Sequence, residues 1–566
     1  MYPFFVILRK TNHIMTHRFL IPLAALLVLA LPAGAQNRTG EKHPDFKVRA
    51  QTAAEPMAQG PFEATVESLS AYECPEWFRD AKFGMWAHWG PQCEPEDGDW
   101  YARNMYIENN GQYRYNIDAR DHPSRFGFKD WIHEWEAENW NPDELVRLYK
   151  EAGARYFMAL ANHHDNFDLY NSRYQSWNSV ALGPRKDIVG GWAAACRRYG
   201  LPLGVSVHAA HAWPWYEVSR GSDKRGPLAG VPYDGVLTKE DGKGTWWEGL
   251  DPQELYEQRH PLSPNNRAWD WQEDQVTPPD QAYVDKFYNR TVQLINDYDP
   301  DIIYFDDTYL PMWPVSDVGL KVVAHAYNHS AAKHAGKPEI VITGKVLNDW
   351  QKQTIVWDVE RGAPDAIQPL PWQTCTCIGS WHYDKHVYYQ DRYKTPAQVI
   401  AMLVDIVSKN GNLLLNIPVK GDGTIDPTER RIVEQIGHWM KINGESIYGT
   451  RPWVIFGEGP VAESSNNPIR DQGFNEGKEQ LGAKDIRFNK KGDKTLFVTL
   501  FGAPETQTDV RALGSKTAQN SRKIKKITLL GSDQPVTWTQ DKDCLHIAPP
   551  AEIPSPEAIV YKVEFR

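Results

Sequence analysis

Two carboxylates stand where short apolar runs of this sequence end, and together they have the chemistry to cleave a glycosidic bond. Asp306 follows the apolar residues 302–305, and Glu360 ends a run that starts at Thr354. In such chemistry one carboxylate attacks or stabilises the anomeric carbon, while the other protonates the leaving oxygen. Each also has a structural interpretation, because Asp306 could cap the next helix and Glu360 could pair with Arg361.

Histidines follow three further apolar runs, at His88, at His163 and His164, and at His208. Several imidazoles at successive strand ends favour a shared site over separate structural roles. A zinc hydrolase is the alternative, because such clusters also bind zinc. Barrel enzymes of that kind usually begin with a His-x-His pair. Here His88 stands alone beside Trp89, and His163 and His164 are adjacent, so that their side chains diverge. We therefore expect neither a metal nor another cofactor.

The elements that would position these residues alternate between helices and strands. Residues 283–297 have the apolar spacing of an amphipathic helix, and the buried strand that leads to Asp306 begins soon after them. Asn141 and Pro142 start another helix by N-cap and first-turn chemistry, and Gly153 ends it. The predicted strands are 83–90, 156–161, 203–207, 302–305, 340–343, 354–359 and 412–416. The predicted helices are 141–152, 187–199, 283–297, 318–335, 396–408 and 427–443.

Strands that alternate with helices predict an α/β protein with parallel βαβ units. Roughly seven or eight repeats favour a closed (β/α)8-like (TIM) barrel, in which active sites lie at the C-terminal ends of the strands. Residues 212–279 interrupt the repeat and indicate an insertion over a binding face. After residue 452, short runs between turn residues predict an antiparallel β-sandwich. The predicted domains are a signal peptide at 1–35, a leader or linker at 36–74, the catalytic barrel at 75–452 and the sandwich at 453–566.

The N-terminal segment has the pattern of a secretory signal peptide. A short basic start at residues 15–18 precedes the apolar run 19–31, and residues 33–35, Ala-Gly-Ala, form a small-residue cleavage site. We therefore expect a secreted or periplasmic protein without a membrane span. The net charge of −11 argues against a nucleic-acid partner. The six cysteines include no Cys-x-x-Cys pair, which argues against a zinc site.

The chain from about residue 77 to 453 resembles the α-L-fucosidases of glycoside hydrolase family 29. The resemblance rests on several motifs in the same order and covers most of the mature chain. The motifs are the segments 77–84 (WFRDAKFG), 88–90 (HWG), 100–106 (WYARNMY), 163–167 (HHDNF), 301–306 (DIIYFD), 409–416 (KNGNLLLN) and 443–452 (NGESIYGTRP).

The resemblance implies an exo-acting, retaining α-L-fucosidase in which Asp306 is the nucleophile. It also implies that His88, Trp100, His163 and His164 hold the fucose ring and its hydroxyls. Asp99 stands where relatives commonly have Glu. With Trp100, the residues Tyr304 and Trp381 are the candidates for an apolar wall against the C6 methyl group.

The position of the acid/base varies within this family. Glu360 lies in a segment, 357–362 (WDVERG), that resembles the branch preferring branched α-1,3/1,4 linkages. In another family pattern a Glu follows the Trp of a Trp-Glu-Thr-Cys-like segment. That residue is Gln373 here, and a glutamine cannot donate the proton. The resemblance therefore implies Glu360 as the acid/base.

Two departures from the family pattern leave alternatives open. His208 ends a strand where many relatives have a tyrosine-rich segment, and Asp307 adds a second charge beside Asp306. The expected partner is a fucosylated oligosaccharide or glycoconjugate. A related exo-glycosidase acting on another sugar, such as L-galactose, and a sugar-binding pseudoenzyme are the competing hypotheses. The sequence leaves the aglycone and the oligomeric state undetermined.

Overall fold

The computed structural model describes residues 40–271, 275–464, 469, 473–477 and 480–566. The predicted signal peptide lies outside the described residues. Within those ranges, no helix combines the length and the apolarity that crossing a bilayer requires.

Eight parallel strands in the described part of the chain form a closed barrel, in which each strand pairs with the next and β1 also pairs with β8. This confirms the predicted (β/α)8-like barrel. The carboxyl ends of all eight strands therefore open onto one face. The strands are β1 (Phe83–Ala87), β2 (Phe157–Asn162), β3 (Leu203–Val207), β4 (Ile302–Thr308), β5 (Val341–Lys345), β6 (Val356–Glu360), β7 (Trp372–Cys377) and β8 (Gly411–Asn416).

The helices begin and end where local chemistry dictates. The Asn141 side chain accepts a hydrogen bond from the backbone of Glu144 at 3.2 Å, and Pro142 occupies the first turn of its helix. The helices are α1 (Val66–Leu69), α2 (Glu76–Ala81), α3 (Tyr101–Asn104), α4 (Gly111–Ala119), α5 (Phe128–Glu134), α6 (Pro142–Glu151), α7 (Ile188–Tyr199), α8 (Ala212–Trp215), α9 (Gln253–Tyr256), α10 (Gln281–Tyr298), α11 (Val318–Lys333), α12 (Lys385–Tyr389), α13 (Pro396–Ser408), α14 (Pro427–Asn443) and α15 (Pro460–Ser464).

Strand β7 is absent from the sequence prediction, because its residues carry no aliphatic run. Inside the barrel, Gln373 donates a hydrogen bond to Asp358 Oδ2 at 2.8 Å, and the Cys375 thiol donates to Oδ1 at 3.0 Å. Polar pairs of this kind fill part of the barrel interior and mask the strand pattern. The repeat is also incomplete, since residues 346–355 and 361–371, all described, contain only a 3₁₀ helix at Gln351–Gln353.

The insertion between β3 and α10 is an ordered layer of short helices. Its Asp234 is buried and lies 3.3 Å from the Lys129 ammonium, which also pairs with Asp130 at 2.6 Å. Tyr106 and Tyr256 each donate a hydrogen bond to Asp234 at 2.7 Å. A buried carboxylate requires such partners, so this cluster fixes the insertion against helix α5.

The C-terminal part forms two antiparallel sheets that share one hydrophobic core, as a sandwich does. Its first strand starts at Arg451, two residues before the predicted boundary at 453. Among described residues the larger sheet has the order β13-β16-β11-β10-β9 and the smaller one β12-β15-β14. The strands are β9 (Arg451–Glu458), β10 (Ile486–Lys491), β11 (Thr495–Phe501), β12 (Thr508–Val510), β13 (Ile524–Leu529), β14 (Trp538–Gln540), β15 (Leu545–Ile547) and β16 (Ala558–Phe565).

The sandwich packs directly on the barrel helices α13 and α14. Buried Arg487 pairs with Asp405 of α13 at 2.6 Å, and Trp439 of α14 donates its indole hydrogen bond to the carbonyl of Ala558 at 2.9 Å. Phe497 and other sandwich residues belong to the same buried core as the barrel. The two parts are therefore joined by apolar contact and by a buried ion pair.

A segment of the C-terminal part, residues 473–477, returns to the mouth of the barrel. The backbone N–H of Phe474 donates to the carbonyl of Glu360 at 2.9 Å, and that of Glu476 donates to Arg361 at 3.0 Å. Gly473 has φ of +131°, and a Cβ there would lie 2.3 Å from the Glu360 carbonyl oxygen. Only glycine permits this close approach, so segment 473–477 is fitted to the backbone of strand β6.

Candidate active site

The residues singled out in the sequence meet at the carboxyl-terminal mouth of the barrel. His88 follows β1, His163 and His164 follow β2, and Asp306 and Glu360 lie near the ends of β4 and β6. All five are buried or nearly so. The closed topology brings these residues together from strands far apart in sequence.

Asp306 is held by three basic groups. Its Oδ2 lies 3.1 Å from His164 Nε2 and 3.2 Å from His208 Nδ1, and its Oδ1 contacts the Lys345 ammonium. Burial alone would raise the pKa of Asp306, but Lys345 and the two imidazoles hold that pKa well below its usual range. Asp306 is therefore ionised at neutral pH.

Lys345 joins Asp306 to Glu360, and the sequence prediction missed it. Its Nζ contacts Asp306 Oδ1 and Glu360 Oε2 at once, so these two oxygens lie within about 6 Å of each other. Burial would lower the pKa of Lys345, but the two carboxylates hold it well above its usual value. The predicted strand stopped at Thr343, two residues short of the observed end of β5. The sequence did contain a signal for this residue, because Lys345 lies two residues past the predicted strand 340–343, in the position that acidic residues occupy in other strands.

Four imidazoles form the polar side of the mouth. The ring of His88 lies 5.1 Å from those of His163 and His208 and 4.7 Å from that of His382. Burial lowers the pKa of His88 and of His163 well below the usual value, so both are neutral. Three nitrogens, His88 Nδ1, His208 Nε2 and His382 Nε2, are buried without a hydrogen-bond partner among the described residues. Such atoms call for a ligand that carries donors and acceptors.

Gln92 sets the tautomer of His163. Its Nε2 lies 2.8 Å from His163 Nδ1 and donates to Asp165 Oδ2 at 3.0 Å, while its Oε1 accepts from the backbone of Ala102 at 3.3 Å. Since the amide donates to Nδ1, the proton of His163 is on Nε2, which faces the other imidazoles. Burial raises the pKa of Asp165 to about 6.

The tautomer of His163 bears on the alternative hypothesis that these histidines bind a metal ion. The two trios His88–His163–His382 and His163–His164–His208 each bring three nitrogens within 4.8 Å of one another, and both require His163. A histidine that binds a metal donates from its other nitrogen to an acceptor, whereas His163 accepts there from Gln92. The donor set therefore suits a hydroxyl group better than a metal ion.

The predicted aromatic wall is divided between two levels. Tyr304 is buried in the barrel interior, with its ring 4.9 Å from that of Trp86 and its hydroxyl 3.5 Å from Cys375 Sγ. It therefore supports the floor from below. Trp381 is half-buried and lies higher, with its ring 5.4 Å from Trp86 and 5.7 Å from His88.

Trp100 lies beside His164, with its ring 6.2 Å from that of His164. Its backbone is left-handed, with φ of +61°, a conformation that costs free energy for a bulky residue and is concentrated at functional sites. Its neighbour Asp99 accepts backbone hydrogen bonds from Trp381 at 3.3 Å and from His382 at 2.7 Å. Asp99 thus fixes the loop after β7.

The insertion contributes two further tryptophans. The ring of Trp215 lies 6.1 Å from that of His163 and 5.6 Å from that of His164, and Trp269 lies 5.9 Å from His164. Arg103 contacts the carbonyl of Trp215 and donates to that of Arg267 at 2.8 Å. No periodicity in the sequence marks Trp215 and Trp269 as site residues.

Asp307 points away from Asp306 and is paired with a histidine. Its Oδ1 lies 2.9 Å from His211 Nε2, while His211 Nδ1 lies 2.7 Å from the carbonyl of Trp269. Burial opposes protonation of His211, but Asp307 raises its pKa to about 9. The second charge beside Asp306 is therefore compensated at neutral pH, and the pair also ties the insertion to strand β4.

Comparison with known proteins identifies relatives along most of the chain. The model of the alpha-L-fucosidase family matches residues 49–445. The tissue alpha-L-fucosidase of Mus musculus is 25% identical over 502 residues, which cover 86% of this chain and 89% of that protein. The plasma alpha-L-fucosidase of Homo sapiens is 25% identical over 493 residues, covering 84% and 86%.

Solved structures share the fold. A structure named alpha-L-fucosidase superposes with a TM-score of 0.64 at 23% identity, over 89% of this chain and all of that one. The Thermotoga maritima alpha-fucosidase in complex with fucose gives a TM-score of 0.62 at 23% identity, with the same coverage. These likenesses independently support the barrel followed by a β-domain.

Proposed function

The chain belongs to the alpha-L-fucosidase family, and on this premise we propose that it is an exo-acting, retaining enzyme. It releases L-fucose from a fucosylated oligosaccharide or glycoconjugate. The observation that carries the proposal is the pair Asp306 and Glu360, which share one ammonium group at a barrel mouth that also contains buried histidines and tryptophans.

Asp306 serves as the nucleophile. Its low pKa keeps the carboxylate ionised, so that it attacks the anomeric carbon and forms a covalent glycosyl-enzyme. Glu360 donates a proton to the leaving oxygen and then removes one from the water that releases the sugar. Lys345 contacts Oε2 of Glu360, which leaves Oε1 for the glycosidic oxygen.

The distance between the two carboxylates supports retention. Retaining enzymes have their two carboxyl groups about 5–5.5 Å apart, whereas inverting enzymes need about 6.5–9.5 Å to admit a water molecule. Because both carboxylates contact one Nζ, their contacting oxygens lie within about 6 Å of each other, which favours the shorter range. We therefore propose Lys345 as a positioning residue for the two carboxylates.

The buried imidazoles bind the sugar hydroxyls. The Nε2–H of His163 donates to a hydroxyl oxygen, while the unpartnered nitrogens of His88, His208 and His382 supply further contacts. Trp100 and Trp381 are proposed to enclose the C6 methyl group, because an apolar wall there favours fucose over a sugar with a C6 hydroxyl.

The assignment of Glu360 gains support from the position of Gln373. Its amide lies in the barrel interior, where it accepts from the Tyr156 hydroxyl at 2.9 Å and donates to Asp358. It is thus turned away from the mouth. We extend the proposal to branched α-1,3/1,4-linked substrates, for which the segment around Glu360 is the only support. Export, to the periplasm or outside the cell, is proposed from the N-terminal sequence pattern.

Hydrolysis of an aryl α-L-fucoside tests the function, because such leaving groups need little protonation. We expect free fucose from the wild type and none from Asp306→Asn, with Asp533→Asn, an exposed aspartate of the sandwich, as the matched control. Binding of fucose without turnover of aryl or natural fucosides would instead identify a sugar-binding pseudoenzyme. Faster hydrolysis of an aryl α-L-galactoside would shift the substrate to L-galactose.

A further inference from the structure

Three different ligand types lie on one face of the smaller C-terminal sheet. Cys544 directly precedes β15 and His546 lies within it, two residues further along an extended chain, so their side chains project to the same side. Asp509 of β12 pairs directly across from His546. One ligand atom from each of these three residues lies within 4.8 Å of the others. A thiol, an imidazole and a carboxylate are the ligands that zinc prefers.

His546 is held in the way that metal-binding histidines are. Its Nδ1 lies 2.7 Å from Asp509 Oδ1 and 3.2 Å from the Gln507 amide nitrogen, and its Nε2 lies 3.3 Å from Asp541 Oδ2. Asp541 is itself fixed, because its Oδ1 accepts the backbone N–H groups of Asp543 and Cys544 at 2.8 and 2.7 Å. An outer carboxylate on the second nitrogen orients a ligating imidazole.

A buried carboxylate oxygen without a partner lies on the same cavity. Glu458, at the end of β9, is only 9% exposed, and its Oε1 has no hydrogen-bond partner within the described ranges. Glu458, Asp509, Cys544 and His546 line the same cavity, of about 360 Å³. The cations there are Lys484 and Arg511. Arg511 is already engaged by Glu463 and lies 3.6 Å from the other oxygen of Glu458.

We propose that Asp509, Cys544 and His546 bind one zinc ion. The unpartnered Oε1 of Glu458 lies on the same cavity, where its negative charge favours a cation. The thiol proton of Cys544 passes to solvent as the Zn–S bond forms. The three ligands lie in the smaller sheet or directly beside it, far in sequence from the barrel residues that the proposed hydrolysis uses.

Cobalt titration of the full chain tests this site. After removal of metals with EDTA, Co²⁺ should produce a near-ultraviolet thiolate-to-metal absorption that saturates at one ion per chain and is displaced by Zn²⁺. Cys544→Ser should lose this absorption, and Cys74→Ser, a half-buried cysteine outside the site, should retain it. Zinc should raise the Tm of the wild type and of Cys74→Ser but not of Cys544→Ser, because a ligand stabilises only the state that binds it.

Asp541→Asn gives a milder second variant. It keeps the three inner ligands and should weaken zinc binding about 10- to 100-fold. Cobalt bound without the thiolate absorption, or an absorption that survives in Cys544→Ser, would overturn the proposal. Metal held by the barrel histidines would lack that absorption and would inhibit fucoside hydrolysis, so the two sites are distinguishable.

Discussion

Lys345 keeps Asp306 ionised and also contacts Glu360, since one buried ammonium touches both side chains. Removing one member of a buried charge cluster leaves the others uncompensated, at a cost of about 3–5 kcal/mol. Lys345 therefore contributes both to the stability of the folded barrel mouth and to catalysis. Substituting it allows the two contributions to be measured separately.

Lys345→Met should lower kcat for an aryl α-L-fucoside by about 10²- to 10³-fold, with about 1.36 kcal/mol for each factor of ten. The acidic limb of the pH–rate profile should also move to higher pH. In the wild type the ammonium keeps Asp306 ionised at low pH, and without it the pKa of Asp306 rises toward and above its usual value. Lys345→Arg should restore part of the profile, while Lys337→Met, an exposed lysine, should leave it unchanged. An unshifted acidic limb in Lys345→Met would remove Lys345 from the charge balance.

Glu360→Gln should distinguish the two halves of the reaction. An activated aryl leaving group departs without a proton, so hydrolysis of aryl fucosides should suffer less than that of natural oligosaccharides. Azide needs no general base and should rescue part of the activity as fucosyl azide. The measurement is kcat/KM on both substrate classes, with and without azide. Wild-type behaviour on natural oligosaccharides would show that another residue is the acid/base.

At the scale of elements, the contact between His211 and Asp307 fastens the insertion to strand β4. The pKa of His211 is raised from its usual value of about 6.5 to about 9. A group whose pKa is raised by folding stabilises the fold fully at pH values below its pKa in the unfolded state. For His211 this contribution is of the order of 3 kcal/mol, and it is lost as the pH rises through about 9. Urea unfolding should therefore show wild-type stability falling between pH 6.5 and 9.5, with a smaller fall in His211→Gln. Equal falls in the two proteins would contradict this linkage.

Segment 473–477 should control the position of Glu360 at the mouth of the barrel. Gly473→Ala places a Cβ 2.3 Å from the Glu360 carbonyl oxygen, so the segment must move. Activity on natural oligosaccharides should fall more than activity on aryl fucosides, because the acid/base step is the one disturbed. Gly477→Ala is the matched control, since it has a positive φ of +76° but open space around the added Cβ. A loss equal in both variants would indicate backbone strain alone.

The elements also explain what the sequence could and could not predict. Acids and imidazoles directly after apolar strands were identifiable, because parallel strands present their carboxyl ends on one face. Lys345 was missed because strand β5 extends past the polar Thr343, where the apolar run ends. His382 follows β7, whose polar interior conceals the strand pattern, and Trp269 lies in an insertion without periodicity. Each missed residue thus lies outside the segments that the apolar pattern marked.

At the scale of the whole molecule, barrel and sandwich depend on each other. Residues of the sandwich belong to the buried core of the barrel, and the ion pair between Arg487 and Asp405 is buried in their contact. A chain ending at residue 450 should expose this surface, remove Arg487 as one of the two cationic partners of Asp405 and lose the hydrogen bonds to Glu360. We expect poor solubility and no activity on natural oligosaccharides. Full activity of that shortened chain would show that the barrel is autonomous.

The return of segment 473–477 to Glu360 has a consequence for how such proteins diversify. A recombination that exchanged the C-terminal part for that of a distant relative would conserve every barrel residue, yet it would replace the backbone partners of the proposed acid/base. The residues on the two sides of that junction must therefore remain compatible with each other. Chimeras with crossovers between residues 361 and 473 should succeed only when both parents share a glycine that fits against strand β6.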